Sequence, residues 1–224
     1  MVNPNVTPPL RRLAFAGATG AVGQHLAQRL RTASPPLAVV AWQRGGTDSV
    51  QGSWQTIPFI DGALTGAVDA FVSTLGTTLK RAGSKAAFRA VDVEAVLARA
   101  AEARALGACK AVVVSSVGAS ADAASFYLRC KAEMEAGILG LGFEQVHVMR
   151  PSLLLASRAE SRPAEALGQV LAPWFAPALR GRFARYRAVT AEAVAAEMWA
   201  CLQRDTPGHF VHHYQGDGWQ VSAL

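Results

Sequence analysis

The chain has 224 residues, enough for one domain with a sizeable core, and 51% hydrophobic against 17% charged residues excludes an intrinsically disordered polymer. No apolar run reaches the roughly 18 residues that a membrane helix needs, so no membrane partner is expected. Net charge is +6, but the arginines are mostly scattered. The one dense run (Arg180, Arg182, Arg185, Arg187) is interleaved only with Phe183 and Tyr186, too thin for a nucleic-acid surface, so a solvated loop or an anionic small molecule is the better expectation.

Cys109, Cys130 and Cys201 lack metal-ligand spacing and read as reduced thiols. His209, His212 and His213 crowd the C-terminus, but on a strand only His209 and His213 share a face, so no metal is expected. Arg11-Arg12 precede an apolar stretch that Gly17, Gly20 and Gly23 interrupt before it can serve as an export signal. A cytoplasmic location is therefore expected.

In chain order, residues 1–10 hold Pro4, Pro8 and Pro9 and read as a loose tail. A first strand over about 11–16 runs into Gly17-Ala18-Thr19-Gly20-Ala21-Val22-Gly23, and a helix over about 21–31 carries Val22, Leu26, Ala27 and Leu30 on one face. Strand, glycine turn and helix form the frame of a dinucleotide site. One glycine makes the turn, one lets a diphosphate approach the backbone, and one lets the helix pack on the strand. The free N–H groups and positive end of the helix then face the anion. His25 on this helix carries no chemistry.

After the break at Ser34-Pro35-Pro36, the run from Leu37 to Trp42 is apolar on both faces, as a parallel strand covered on both sides requires. Residues 43–53 read as a loop and Gln55 to Ile60 as a third strand ending at Asp61-Gly62. Residues 69–75 form a fourth strand, and 76–84 a polar loop with Lys80 and Arg81. A long helix spans about 85–106, with Gly107 just beyond it. Residues 110–115 form a fifth strand, about 125–139 a helix, and 145–150 a sixth strand stopped by Pro151. Further on come a short helix around 164–171, a helix over about 191–204 capped by Thr190, and a late strand over 209–214. This alternation predicts an α/β fold. It is a Rossmann-like, doubly wound parallel sheet with helices on both faces, in a single domain whose residues 151–224 cover the substrate side. Glu160, Arg162 and Glu165 border a pocket or pair on the surface, and Trp174, Phe175 and Phe183 read as packing residues.

The end of the second strand meets the adenosine ribose in such folds. Here it reads Trp42-Gln43-Arg44, with no carboxylate before Asp48, so Arg44 favours NADP(H) over NAD(H). Asp61 stands where it accepts from the adenine amino group, or serves as a turn aspartate. Tyr127 and Lys131 lie four apart on one helical face, and Ser115 and Ser116 stand at the end of the fifth strand. That set suits acid–base catalysis at a small carbonyl or alcohol. Tyr127 exchanges the proton, a serine hydroxyl holds the oxygen, and Lys131 favours the phenolate and bonds the nicotinamide ribose.

These motifs, Gly17-x-x-Gly20-x-x-Gly23, Ser115-Ser116 and Tyr127-x-x-x-Lys131, resemble the atypical or extended branch of the short-chain dehydrogenase/reductase superfamily. The stretches Ser73-Thr74-Leu75-Gly76-Thr77-Thr78, Ser115 to Ala119, Tyr127 to Glu133, Arg150 to Leu154 and Glu160-Ser161-Arg162-Pro163 are similar to the NAD(P)H-binding oxidoreductases related to the Tat-interacting protein. The resemblance implies NADPH in the crevice, with Thr74, Leu75 and Gly76 lining it. It places Pro151 and Ser152 near the nicotinamide, and Lys80 and Arg81 at the rim. It also implies a site asparagine that this chain does not supply: Asp92 lies on the corresponding helix instead. Two other functions stay open. One is a non-catalytic NADP(H)-binding redox sensor or regulator with a protein partner; the other is an epimerase acting on a nucleotide sugar. A homodimer is compatible with each.

Overall fold

A computed structural model describes residues 10–45, 49–155, 187–216 and 218–224. Its centre is a nine-stranded sheet. The strands are β1 (Arg12–Ala16), β2 (Ala38–Gln43), β3 (Ser49–Gln51), β4 (Trp54–Pro58), β5 (Ala70–Ser73), β6 (Lys110–Val114), β7 (Gln145–Arg150), β10 (Gly208–Tyr214) and β11 (Trp219–Ala223). Their spatial order is β11-β10-β7-β6-β5-β1-β2-β4-β3. The seven inner strands run parallel, while β3 and β11 close the two edges antiparallel. Leu154–Leu155 (β8) and Val189–Thr190 (β9) form a separate two-stranded parallel sheet.

Strand alternation explains the two layers. Ala14, Ala16, Val40, Trp42, Phe71, Ala111, Val113, Val146 and Val148 face one core, and Leu13, Phe15, Val39, Ala41, Val72, Val112 and Met149 face the other. The first core is covered by α3 (Lys85–Arg89), a π-helical stretch (Ala90–Ala95), α4 (Val96–Ala105) and α5 (Phe126–Gly140), through Phe88, Val96, Ala100, Met134 and Ile138. The second is covered by α1 (Ala21–Arg31) and α6 (Ala191–Leu202), through Leu26, Leu30, Val194 and Met198. The doubly wound Rossmann-like fold is therefore present, with a mostly parallel rather than wholly parallel sheet.

Several local expectations change. The expected loop over 43–53 contains β3, paired with β4 across a turn in which Gly52 has φ +60°. All three β3 residues are exposed, so the strand carries no apolar pattern to read. The expected loop over 76–84 contains α2 (Leu79–Ala82), one turn capped by Thr78 Oγ1, which accepts from Arg81 N at 3.2 Å. The long helix is interrupted by its π turns, which no propensity scale marks. Trp219–Ala223 adds a strand that the sequence pattern did not announce. Thr190 caps α6 as expected, accepting from Ala193 N at 3.1 Å, and Gly107 after α4 has φ +101°. Of residues 151–224, the described part adds β10 and β11 to the sheet and lays α6 beside α1. Residues 1–9 of the expected tail over 1–10, the helix at 164–171 and the residues Asp48, Glu160, Arg162, Glu165, Trp174, Phe175, Arg180, Arg182, Phe183, Arg185 and Tyr186 lie outside the described residues. Among the described residues, no helix is long and apolar enough to cross a membrane.

Phe88 is wholly buried and meets the rings of Phe126 and Tyr127 edge-on, with centroids at 6.0 and 5.7 Å. Phe88→Ala is expected to cost about 3–5 kcal/mol in urea unfolding, because a cavity opens beneath α5. A loss under about 1 kcal/mol would contradict this packing.

Candidate active site

The glycine turn is shaped by contacts within the chain at two of its three glycines. Gly17 has φ +97°, and an added Cβ would lie 2.7 Å from Leu75 N and 2.8 Å from Thr74 Oγ1. At Gly23 an added Cβ would come within 2.0 Å of Gly17 O, so α1 can cross β1 this closely only without a side chain there. Gly20 differs. An added Cβ would meet nothing nearer than Gly17 O at 3.5 Å, and the backbone is in the ordinary extended region. It is the N-cap of α1 yet offers no side-chain cap, and the first turn carries no acidic residue. Thr19, Gly20 and Ala21 are exposed. The positive end of α1 therefore faces outward with no side chain over it.

The loop after β5 ties this turn to the catalytic candidates. Thr74 N donates to Ala16 O at 2.9 Å, and Thr74 Oγ1 donates to Gly17 O at 2.8 Å. Leu75 N is bonded to Ser73 Oγ at 3.3 Å. Two residues on, Thr77 N donates to Asp92 Oδ2 at 2.8 Å. Gly76 lies over the same group, since a Cβ there would stand 3.7 Å from Asp92 Oδ1 and 3.9 Å from Lys131 Nζ. Asp92 Oδ1 meets Lys131 Nζ at 2.7 Å, with both side chains buried. Asp92 thus occupies the π-helical stretch as the counter-ion of Lys131.

Tyr127 and Lys131 are brought together as their spacing on α5 requires, with Lys131 Nζ 5.9 Å from the phenol ring centroid. Tyr127 is half-buried, and its hydroxyl has no hydrogen-bond partner among the described residues. The two serines separate. Ser115 is buried and donates to Glu135 Oε1, so it is committed to the interior. Glu135 in turn accepts from Arg150 Nε at 3.0 Å and from a terminal Arg150 nitrogen at 2.6 Å. Ser116 remains half-buried in the following turn, its hydroxyl bonded only to Val117 O at 3.3 Å among the described residues. That turn is held by Val117 N donating to Pro151 O at 2.9 Å, and Gly118 within it has φ +81°.

The remaining candidates are spread around the crevice. Pro151 is buried, and Ser152 Oγ donates to Arg187 O. Lys80 and Arg81 are exposed on α2. Asp61 is exposed with φ +64°, a conformation in which aspartate serves the turn itself. A cleft of about 390 Å³ opens between α1 and the β2–β4 edge, lined by Thr19, Gln24, Arg31, Gln43, Ser49 and Trp54 among others. Arg44 is exposed at the end of β2 but does not line this cleft; Arg31, stacked 4.3 Å over Trp54, does. The roles of Asp92, Glu135 and Arg150 are visible only in three dimensions. Glu135 follows Lys131 by one helical turn, a spacing that places both on one face of α5.

No protein-family model matches the chain. Among solved structures, WbmH of Bordetella bronchiseptica in complex with NAD+ aligns over 96% of this chain and 77% of its own, with a TM-score of 0.64 and 15% identity. The UDP-N-acetylglucosamine 4-epimerase of Methanobrevibacter ruminantium, in complex with UDP-N-acetylmuramic acid, aligns over 95% and 79% with a TM-score of 0.69 and 13% identity. These likenesses establish the fold alone, a Rossmann-like doubly wound α/β sheet. The narrower resemblance to the Tat-interacting-protein relatives rests on the motifs alone.

Curated relatives are closer in sequence. Protein fmp52 of Emericella nidulans, named a mitochondrial protein, is 33% identical over 176 residues, 73% of this chain and 75% of that one. Protein fmp52-1 of Aspergillus terreus, also named mitochondrial, is 30% identical over 210 residues, 87% and 90% of the two chains. The expected cytoplasmic location is overturned by these relatives, which are named mitochondrial proteins. With a third of the residues shared across three quarters of both lengths, the chain belongs to the Fmp52 family.

Proposed function

We propose that the chain is an NADP(H)-dependent oxidoreductase that moves a hydride to or from a small carbonyl or alcohol. The observation that carries this reading is Gly20. The protein itself makes no steric demand for a glycine there, and a diphosphate on the α1 amides does. The loop Thr74-Leu75-Gly76 extends the same crevice to Lys131. A bound nicotinamide supplies the hydride. Tyr127 Oη gives its proton to the carbonyl oxygen, or takes it from the alcohol in reverse. Ser116 holds that oxygen, and Ser115 positions the turn through Glu135. Lys131, oriented by Asp92, bonds the ribose. Pro151 and Ser152 border the nicotinamide, Asp61 borders the adenine, and Arg44 meets the 2′-phosphate.

A second reading is a cofactor-binding regulator that does not turn over. It is favoured by one observation: the Lys131 charge is already paired with a buried aspartate where the superfamily pattern has an asparagine. A third, epimerisation of a nucleotide sugar, draws on neighbours such as the M. ruminantium epimerase, of whose chain this one spans 79%.

Gly20→Ala and Gly23→Ala separate a ligand's demand from the fold's. Gly20→Ala is expected to leave stability within about 0.5 kcal/mol and to weaken NADPH binding by about tenfold, or ~1.4 kcal/mol. Gly23→Ala is expected to destabilise the chain outright. Unchanged NADPH titration in folded Gly20→Ala would remove the reading.

Tyr127→Phe is expected to lower NADPH oxidation against a carbonyl panel by about 10²–10⁴-fold while the NADPH affinity holds. Equal activity of both proteins would show that the acid is another group. Inactivity of both, with NADPH bound, would favour the regulator.

For cofactor choice, Arg44→Ala is expected to weaken NADPH by about tenfold and leave NADH unchanged. A wild-type preference for NADH would overturn the 2′-phosphate contact.

A further inference from the structure

Away from the crevice, three buried side chains from three elements point at one another. His147 comes from β7, His212 from β10 and Cys201 from α6, and none of them is exposed beyond 1%. Their ligand atoms lie within 4.8 Å of one another. His147 Nδ1 is 2.9 Å from His212 Nε2, and Cys201 Sγ is 3.7 Å from the same His212 Nε2. His147 lies near the start of β7, the opposite end of the strand from Pro151.

We propose that His147, Cys201 and His212 form a buried site for one divalent cation of borderline softness, with zinc the first choice. The ligand types are those that zinc takes in structural sites. Tetrahedral Zn–N bonds of about 2.0–2.1 Å and a Zn–S bond of about 2.3 Å set N···N near roughly 3.3 Å and N···S near roughly 3.6 Å. The sulfur is already at that separation from His212 Nε2, and the two imidazoles need to part by only about 0.4 Å.

The surrounding groups are arranged as such a site requires. Metal-bound histidines donate their other N–H to an acceptor that fixes the ring. His212 has that acceptor, with Nδ1 3.0 Å from Glu197 Oε1. His147 Nε2 is 2.8 Å from Gln145 Nε2, while the other amide atom, Gln145 Oε1, is buried without a partner. The two amide atoms of a glutamine are assigned rather than seen. Turning the amide over lets Oε1 accept from His147 Nε2–H and leaves His147 Nδ1 free to ligate. Gln145 then fixes the His147 ring from its Nε2 side, opposite the Nδ1 that faces His212 and the metal.

Two groups able to carry negative charge stand at the site. A dication would be offset by the Cys201 thiolate and the Glu197 carboxylate, whose pKa the His212 hydrogen bond lowers. Arg204 caps the pair, with one terminal nitrogen 3.1 Å from Glu197 Oε1 and the other 3.9 Å from Cys201 Sγ. Burial, reinforced by His212, pushes the His147 imidazole down to about 3, which keeps it neutral and able to ligate. Burial raises the Cys201 thiol, so binding must expel the S–H proton to solvent as the S–metal bond forms. Lys110 is turned away onto the Leu202 and Arg204 carbonyls. The cation would pin α6 to β7 and β10, and it enters during folding because all three ligands are buried.

The test uses the full, tag-free chain expressed in zinc-supplemented or cobalt-supplemented medium. Elemental analysis after dialysis is expected to give one equivalent of zinc, falling to less than about a tenth in Cys201→Ala. Cobalt-loaded protein is expected to show a thiolate-to-cobalt charge-transfer band that Cys109→Ser and Cys130→Ser keep and Cys201→Ala loses. Wild type without metal, or a folded Cys201→Ala (by circular dichroism) that retains as much, would overturn the site. Should Cys201→Ala fail to fold, the wild-type cobalt spectrum decides alone: no thiolate band means no site.

Discussion

The carbonyl of Gly17 is the point at which three elements of this molecule meet. β1 ends there, α1 begins over it with Gly23 in contact, and Thr74 Oγ1 of the loop after β5 donates to it at 2.8 Å. The approach is closer than any Cβ allows, so the geometry depends on side chains that are absent. Its effect is positional. Once α1 sits this near β1, its first amides emerge at the carboxyl edge of the sheet, and the Thr74–Gly76 loop runs from them toward α5.

At the far end of that loop lies a buried ion pair. Lys131 and Asp92 have side chains 4% and 1% exposed. Breaking such a pair typically costs about 3–5 kcal/mol, because one charge is left in the interior. The pair is thus a rigid floor beneath Gly76 and Thr77. A second network lies one turn further along the same face of α5, where Ser115, Glu135 and Arg150 bind β6, α5 and β7 together. Tyr127 stands one turn before Lys131 on that face, its ring braced by Phe88. The phenol ring is therefore fixed by Phe88 and flanked by a Lys131 that its ion pair holds, while the phenol oxygen itself is left unengaged among the described residues.

Much of this was legible in the sequence. Strands apolar on both faces and amphipathic helices announce a covered parallel sheet, and the glycine spacing locates its first turn. The Tyr127–Lys131 pair comes from helical periodicity alone. The features that escaped had no periodic signal. β3 is an exposed edge hairpin with one apolar residue, the π turn leaves no mark on composition, and β11 is a polar edge strand. Ser115 and Ser116 look alike as adjacent serines, and only the tertiary contact with Glu135 tells them apart. The cluster of His147, Cys201 and His212 joins residues 54 and 11 positions apart, a distance that no local pattern spans. His209 and His213 share one face of β10, but the converging face is the other one, where His212 meets His147 of β7.

In the proposed enzyme, the open amides of α1 hold a diphosphate and the reactive ring lies beside Tyr127. A crystal structure of the chain grown with NADP+ tests both halves at once. Diphosphate density is expected on the Gly20–Val22 amides, and nicotinamide density within hydrogen-bonding reach of the Tyr127–Lys131 face. Density for the dinucleotide elsewhere, or a crevice filled by the chain's own side chains at saturating NADP+, would contradict it.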